Sequence, residues 1–130
     1  MGNKSFAEKK QEAYEFGKYA EEVIAAEYIR KGYTVVERNK LFGKTEIDII
    51  ARKEDTIVII EVKARSGDDE DAVSSVTQDK RRRMVKAADS YIRSLKGQLY
   101  YRFDIAAVTG NFESHTIEIF EDAFVGADLY

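Results

Sequence analysis

The stretch EIDIIARKEDTIVIIEVK, residues 46–63, predicts two neighbouring β-strands. Its two ends, Glu46–Ala51 and Ile57–Lys63, are rich in isoleucine and valine, and a short polar segment separates them. The second strand is apolar at Ile57–Ile60, which is typical of a strand buried on both faces. A further strand candidate, Thr34–Arg38, lies just before them, so the simplest arrangement is a meander of three strands.

Carboxylates interrupt the apolar pattern of the first of these two strands. Side chains alternate between the two faces of a strand, so Glu46 and Asp48 are predicted to face one way while Ile47 and Ile49 face the other. The sequence therefore predicts a polar face and an apolar face at this end of the strand.

The second strand ends with Glu61 and Lys63 on one face. Charged residues at the end of a buried strand can simply reach water, which is the alternative to a functional role. However, Asp48 and Glu61 on neighbouring strands would repel each other unless a cation lay between them. A cation held by both carboxylates and the backbone carbonyl of Val62 would keep open positions for water, and Lys63 could orient that water or neutralise a pentavalent transition state. These residues predict metal-dependent hydrolysis of a phosphodiester.

The composition limits the kind of metal site. The 130 residues contain no cysteine and one histidine, His115. A site built from thiolates or imidazoles is therefore not expected, and oxygen ligands favour Mg²⁺ or Mn²⁺. The net charge of −3 argues against general nucleic-acid binding, although clustered charges matter more than the total.

Length and hydropathy indicate a single domain without a membrane segment. A chain of 130 residues is long enough for one core, so residues 1–130 are predicted to form one domain. No segment approaches the roughly 20 apolar residues of a membrane helix, and the N-terminus lacks the apolar core of a signal peptide. We therefore expect a cytoplasmic protein with no membrane contact.

Two helices are predicted around these strands. The first begins after Ser5, which has capping-box spacing to a glutamate, and ends at Gly32, with Gly17 as a candidate break between two helices. The second begins after the candidate N-cap Thr77 and continues to about Lys96. Residues 1–13 are thus a helical extension ahead of the first strand.

Two further strands are predicted at about Tyr100–Val108 and Thr116–Phe120. The complete order is helix, three strands, helix and two strands. This order is typical of a mixed α/β layer fold.

A dense basic cluster lies at the start of the second predicted helix. An acidic run, Asp68–Asp71, precedes this helix and is predicted to lie on a solvated loop. The cluster comprises Lys80, Arg81, Arg82 and Arg83. A cation near a helix N-terminus is unfavourable unless an anion lies nearby, so Lys80 is a candidate phosphate ligand. The three arginines are candidate nucleic-acid contacts, and the alternative for them is a solvated helix face.

The candidate site residues match the signature of a nuclease superfamily. Asp48 and Glu61-Val62-Lys63 resemble the acidic residue and the (D/E)-x-K motif of the PD-(D/E)XK, or restriction-endonuclease-like, nucleases, whose αβββαβ core is a mixed central sheet flanked by helices. Further segments resemble the YraN-type family of bacterial proteins, which is similar to archaeal Holliday-junction resolvases. These segments are Gly17-Lys18-Tyr19-Ala20-Glu21, Gly32-Tyr33, Arg38-Asn39, residues 46–51 and 61–65, Lys80 and Arg102-Phe103-Asp104.

The resemblance implies a Mg²⁺-dependent endonuclease that acts on DNA, including branched or structured DNA in repair or recombination. It also implies that Glu21, which helical periodicity places on the inward stripe, contacts the metal directly or through water. The alternative for Glu21 is an ion pair with Arg102. Nucleases that cut two strands often act as homodimers, but no dimer surface is evident in the sequence.

Two other functions fit the same sequence. One is a non-catalytic nucleic-acid-binding module that keeps the nuclease fold, and the other is a protein-interaction subunit whose charged strand ends pair with a partner. The complete set of Asp48, Glu61 and Lys63 disfavours the first of these without excluding it.

Several other polar and aromatic residues have predicted places. Arg65 is expected to meet either a phosphate or Glu46, and Asp104 is expected to be a buried structural ion-pair partner. His115 is predicted to lie at the surface. The tyrosines that could stack on bases are explained more simply as core residues; they are Tyr19, Tyr28 and Tyr33.

Overall fold

The computed structural model describes residues 3–67 and 71–125. The predicted order of elements is confirmed, with one short helix added between β3 and the second long helix. The elements are α1 (Phe6–Arg30), β1 (Thr34–Phe42), β2 (Thr45–Lys53), β3 (Thr56–Arg65), α2 (Ala72–Ser75), α3 (Gln78–Arg93), β4 (Tyr100–Gly110) and β5 (His115–Phe124). The acidic run falls mostly outside the described residues, since 68–70 are not among them.

Helix α1 is continuous, so the predicted break at Gly17 is wrong. Ser5 caps the helix by accepting a hydrogen bond from the backbone N–H of Glu8 at 3.1 Å, as its spacing indicates. A glycine inside a helix costs about 0.5–1 kcal/mol relative to alanine. The buried residues Ala20, Ile24 and Tyr28, which hold α1 on the sheet, outweigh that cost.

One sheet has the strand order β1-β2-β3-β4-β5. All neighbouring strands are antiparallel except β3 and β4, which are parallel and are connected through α2 and α3. Side chains of α1 pack on one face of the sheet and side chains of α3 on the other. This is the αβββαβ core with a mixed central sheet flanked by helices, as predicted. None of the helices in the described ranges is long and apolar enough to cross a membrane.

Strand β3 is buried on both faces, as its unbroken apolar run predicts. Ile57 and Ile59 belong to the cluster that packs against α3, whereas Val58 and Ile60 belong to the cluster that packs against α1. Glu61 follows directly, so its carboxylate begins inside the sheet rather than beyond its end.

Strand β2 does not keep a simple alternation around Asp48. Ile47 lies in the cluster on the α3 side, while Ile49 lies in the cluster on the α1 side. The prediction that these two isoleucines share a face is therefore wrong. Regular pairing of β2 with β3 runs only as far as Ile49 and Ile60, so Asp48 occupies the position where the two strands part.

Asp104 is fully buried and structural, as predicted. Its carboxylate accepts hydrogen bonds from the Tyr28 hydroxyl at 2.6 Å, from Arg102 Nε at 3.0 Å and from the backbone N–H of Asp122 at 3.0 Å. Burial, together with the charge of Asp104, raises the pKa of Tyr28 far above its ordinary value. Arg102 also donates to the Tyr33 hydroxyl at 3.0 Å, so the network ties α1 to β4.

Candidate active site

Asp48 uses its side chain to bridge β2 and β3 where their backbones part. Its Oδ2 accepts a hydrogen bond from the backbone N–H of Val62 at 2.8 Å. Burial, followed by the charges of Glu61 and Glu21, raises the pKa of Asp48 to about 7, although the Val62 N–H and the charge of Lys80 act in the opposite direction. The nearby positive charge is therefore too weak to offset burial and the neighbouring carboxylates.

Glu61 is 8% exposed, and it is the second carboxylate of the site. Within the described part of the chain, its Oε2 atom is buried and receives no hydrogen bond. Lys80 Nζ lies 3.8 Å from that oxygen, close enough for attraction and too far for a hydrogen bond. Burial raises the pKa of Glu61 despite the positive charges of Lys80 and Lys63.

Glu21 reaches the site from α1, as the helical periodicity predicts, and its charge raises the pKa of Asp48. Its hydrogen-bond partner is Asn39, whose Nδ2 donates to Glu21 Oε1 at 2.7 Å and to Glu46 Oε1 at 2.9 Å. The alternative of an ion pair between Glu21 and Arg102 is wrong, because Arg102 binds Asp104.

Asn39 is the site residue that the sequence reasoning missed. Its φ of 50° lies in the left-handed region, which asparagine tolerates better than most residues. This conformation occurs within β1, and the side-chain amide holds the two glutamates together. In the sequence, Asn39 is notable only because Arg38-Asn39 is one of the segments that resemble the YraN-type family. That resemblance indicates no chemical role for Asn39.

Lys80 lies in the first turn of α3 and points to the carboxylates. Its Nζ donates to the backbone carbonyl of Glu46 at 3.2 Å and lies near Glu61. The anion that compensates a cation at this helix end is therefore Glu61. The predicted contact of Lys80 with a phosphate stays a prediction.

The other predicted basic residues have different contacts in the structure. Arg81 donates to the backbone carbonyls of Val73 and Val76 and lies over the Phe124 ring, so it has a structural role in joining α2 to α3. Its predicted contact with nucleic acid stays a prediction. Arg82 and Arg83 are on the exposed side of α3 and pair with Asp79. Arg65 lies on β3, and its Nε donates to Thr109 Oγ1 at 3.1 Å.

The donor set fits a hard divalent cation. Two carboxylates with raised pKa values lie together, and one buried oxygen of Glu61 has no hydrogen-bond donor among the described residues. In the described ranges, no three acidic or histidine side chains form a ready-made cage. A metal here would keep several waters, as Mg²⁺ usually does.

The αβββαβ core, with Asp48 and Glu61 where β2 and β3 part and Lys63 beyond them, defines an α/β protein built on a mixed five-stranded sheet. A family profile described as "Uncharacterised protein family UPF0102" matches residues 20–108. The chain therefore belongs to the UPF0102, or YraN-like, family, as its sequence segments indicate.

Relatives from several bacteria carry the same family name. A UPF0102 protein of Phocaeicola vulgatus is 43% identical over 114 residues, which cover 85% of this chain and 92% of the relative. One from Flavobacterium psychrophilum is 42% identical over 111 residues, covering 85% and 93%. One from Nitrosomonas europaea is 36% identical over 109 residues, covering 83% and 92%. These names define the family and state no activity.

Proposed function

We propose that this protein is a metal-dependent endonuclease that hydrolyses phosphodiester bonds of DNA with Mg²⁺ or Mn²⁺. The observation that carries the proposal is the buried Glu61 Oε2 without a hydrogen bond from the described residues, on the strand next to Asp48. A folded protein rarely keeps such an oxygen unless something binds it. A divalent cation is the partner that also relieves the repulsion between two carboxylates.

The metal would be held by Asp48, Glu61 and the backbone carbonyl of Val62, with Glu21 contributing directly or through a water. When bound, Mg²⁺ supplies Lewis-acid chemistry, lowering the pKa of a water molecule and stabilising charge on a phosphoryl oxygen. Val62 N–H holds Oδ2 of Asp48, so the other oxygen of that carboxylate can face the metal.

Lys63, Lys80 and the side-chain amide of Asn39 have separate roles in the proposed reaction. Lys63 would orient the attacking water or neutralise charge that develops on the phosphoryl group. Lys80 would balance the charge of Glu61 and contact a substrate phosphate. Asn39 donates hydrogen bonds to Glu21 and Glu46, so these two glutamates would keep their positions when the cation binds.

DNA is the proposed substrate, including branched or structured DNA in repair or recombination, and the proposal places the protein in the bacterial cytoplasm. The exposed arginines of α3 lie on the same helix as Lys80, so a phosphate backbone crossing that helix could reach the site. A homodimer would allow both strands of a duplex to be cut.

A non-catalytic DNA-binding module is the second candidate. Lys80 already supplies one positive charge beside Glu61, and this contact favours a protein that is stable without metal. Cleavage distinguishes the two candidates directly.

The test is a cleavage screen over single-stranded, duplex, flap and four-way-junction DNA, with matched RNA substrates. Each reaction contains Mg²⁺, Mn²⁺ or EDTA, and the Asp48→Ala protein is the control for contaminating nucleases. Metal-dependent cleavage by the wild type alone supports the proposal. Binding of these substrates without cleavage under any metal would favour the binding module instead.

Replacing Arg82 and Arg83 together by glutamine should weaken DNA binding and reduce its salt dependence. Each lost phosphate contact removes about 0.9 from the slope of log K against log salt for duplex DNA, so a decrease of roughly one to two is expected. Arg81 is left in place because its guanidinium binds α2 carbonyls. The measurement is a titration of labelled duplex in EDTA at several salt concentrations.

The matched control for that experiment replaces Arg93 and Lys96 by glutamine. Both are exposed, Arg93 as the last residue of α3 and Lys96 just beyond that helix end, so the same net charge is removed away from the proposed substrate path. An equal change of slope in the control would show that only total charge matters. An unchanged slope in the Arg82 and Arg83 variant would place these arginines on a solvated face.

A further inference from the structure

A cleft separate from the candidate active site lies near the C-terminal end of β3. It has a volume of about 910 Å³ and lies between the N-terminal half of α1, the end of β3 and the turn joining β4 to β5. We call it the hairpin cleft. Its lining includes Lys9, Ala13 and Phe16 of α1, Ala64 and Arg65 of β3, and Phe112 of the turn. The helical extension therefore forms one wall of this cleft.

Two aromatic rings, Phe16 and Phe112, line the cleft, and Phe112 also contacts a ring outside it, Tyr19. The Phe112 ring lies 5.6 Å from Phe16 and 5.1 Å from Tyr19, measured between centroids, and Tyr19 lies 5.4 Å from the His115 ring. Phe112 is 47% exposed, although it contacts two other rings. A half-exposed ring can still stack against a further flat group.

The turn that carries Phe112 is held rigidly. The Asn111 side chain accepts hydrogen bonds from the backbone N–H groups of Glu113 and Ser114, and Asn111 N–H donates to the Ser114 carbonyl. Gly110 has a φ of 131°, and a Cβ at this position would collide with the Ser114 carbonyl. The backbone thus fixes where Phe112 stands before any ligand arrives, which lowers the entropy cost of binding.

Strand β3 links the hairpin cleft to the proposed catalytic residues. Arg65 lines it and is two residues beyond Lys63 on β3, a separation of about 7 Å along a strand. The charges along the cleft are balanced, with Lys4, Lys9 and Arg65 against three glutamates. Balanced charge does not favour the phosphate backbone, so the rings are the main feature available for recognition.

We propose that the hairpin cleft binds unpaired bases of a nucleic-acid substrate, with Phe112 as the stacking platform. Single-stranded nucleic acids are commonly bound by bases stacked on aromatic side chains. This inference rests on the proposed nuclease function and narrows its substrate to nucleic acid with a single-stranded flank next to the cleaved bond.

A tryptophan at the platform provides a direct test because the chain contains no tryptophan. In Phe112→Trp, adding a single-stranded oligonucleotide in EDTA should quench the tryptophan fluorescence, and a blunt duplex of the same length should quench it much less. The matched control is Phe6→Trp, since Phe6 is a 77% exposed ring at the start of α1 and is not part of the cleft. Equal quenching in both variants, or none in Phe112→Trp, would overturn the inference.

The second variant removes the ring. Phe112→Ser should weaken single-strand binding roughly five- to hundredfold, as loss of one stacked base does, while the salt slope stays unchanged. Phe6→Ser should bind as the wild type does. Duplex cleavage with no single-strand preference would refute this inference and leave the nuclease proposal standing. Single-strand binding that depends on the Phe112 ring, without metal-dependent cleavage, would support this inference and refute the nuclease proposal.

Discussion

Asp48→Ala should reduce metal-dependent DNA cleavage by roughly a hundred- to a thousandfold or more, the usual effect of losing one electrostatic group from a reaction centre. Asp48 Oδ2 is fixed by Val62 N–H, and the residue lies next to Glu61 where β2 and β3 part. Removing it should leave the metal with too few protein ligands. Initial rates are to be measured with Mg²⁺ and with Mn²⁺, at concentrations high enough to compensate for weaker binding.

Glu61→Ala and Lys63→Ala should cause losses of the same order, because the three residues act on one metal and one phosphate. A double variant should lose little beyond the worse single variant, as residues that act as a unit are not additive. Glu118→Ala is the control, since this exposed carboxylate lies on β5, which does not border β2 or β3. Normal cleavage by Asp48→Ala would remove this site from consideration.

Asp48→Asn should stabilise the metal-free protein at neutral and alkaline pH by roughly 1–3 kcal/mol. The asparagine keeps the shape and can still accept the hydrogen bond from Val62 N–H. It removes a buried negative charge that Glu61 and Glu21 oppose. The measurement is chemical or thermal unfolding in EDTA, wild type against variant.

The sign of the pH dependence follows from the raised pKa of Asp48. Its pKa is about 7 in the folded chain and about 4 when unfolded, so the folded state binds more protons between these values. The stability that protonated Asp48 provides is complete below pH 4 and is lost as the pH rises through 7. Wild type and Asp48→Asn should therefore agree near pH 4 and differ most at pH 8.

Metal should reverse the order of stability. A ligand that binds only the folded state adds about 2.7 kcal/mol at a hundredfold excess over its Kd, so the wild type should gain with Mg²⁺ or Mn²⁺ while Asp48→Asn responds much less. Glu118→Gln should behave as the wild type in both conditions. A strongly destabilised Asp48→Asn in EDTA, together with a wild type indifferent to metal, would identify these carboxylates as structural.

Much of the fold could be predicted because local patterns agree with long-range packing. The unbroken apolar run at Ile57–Ile60 predicts a central strand, and it packs against α1 and α3 on its two faces. The capping residues Ser5 and Thr77 also begin the helices they predict. The break at Gly17 failed because a local propensity of less than about 1 kcal/mol was weaker than tertiary packing.

The site was less predictable because it depends on departures from regular geometry. Ile47 and Ile49 face opposite sides of the sheet, which strand periodicity does not allow. Asn39 takes a left-handed conformation inside a strand, and no pattern of apolar residues indicates that. Arg81 belongs by sequence to a basic cluster, yet its contacts are with backbone carbonyls of α2 that no spacing rule connects to it.

The parallel pairing of β3 with β4 has a consequence for the order in which the chain folds. Asp48 and Val62 are 14 residues apart in sequence, whereas Arg65 and Thr109, which join β3 to β4, are 44 apart, and Lys80 and Glu46 are 34 apart. Short loops close at lower entropic cost than long ones, so we expect the β2–β3 hairpin to form first. The two carboxylates thus meet before α3 delivers the ammonium group of Lys80. We therefore expect acidic pH or a divalent ion to speed refolding, because either reduces the repulsion between the two carboxylates at that point.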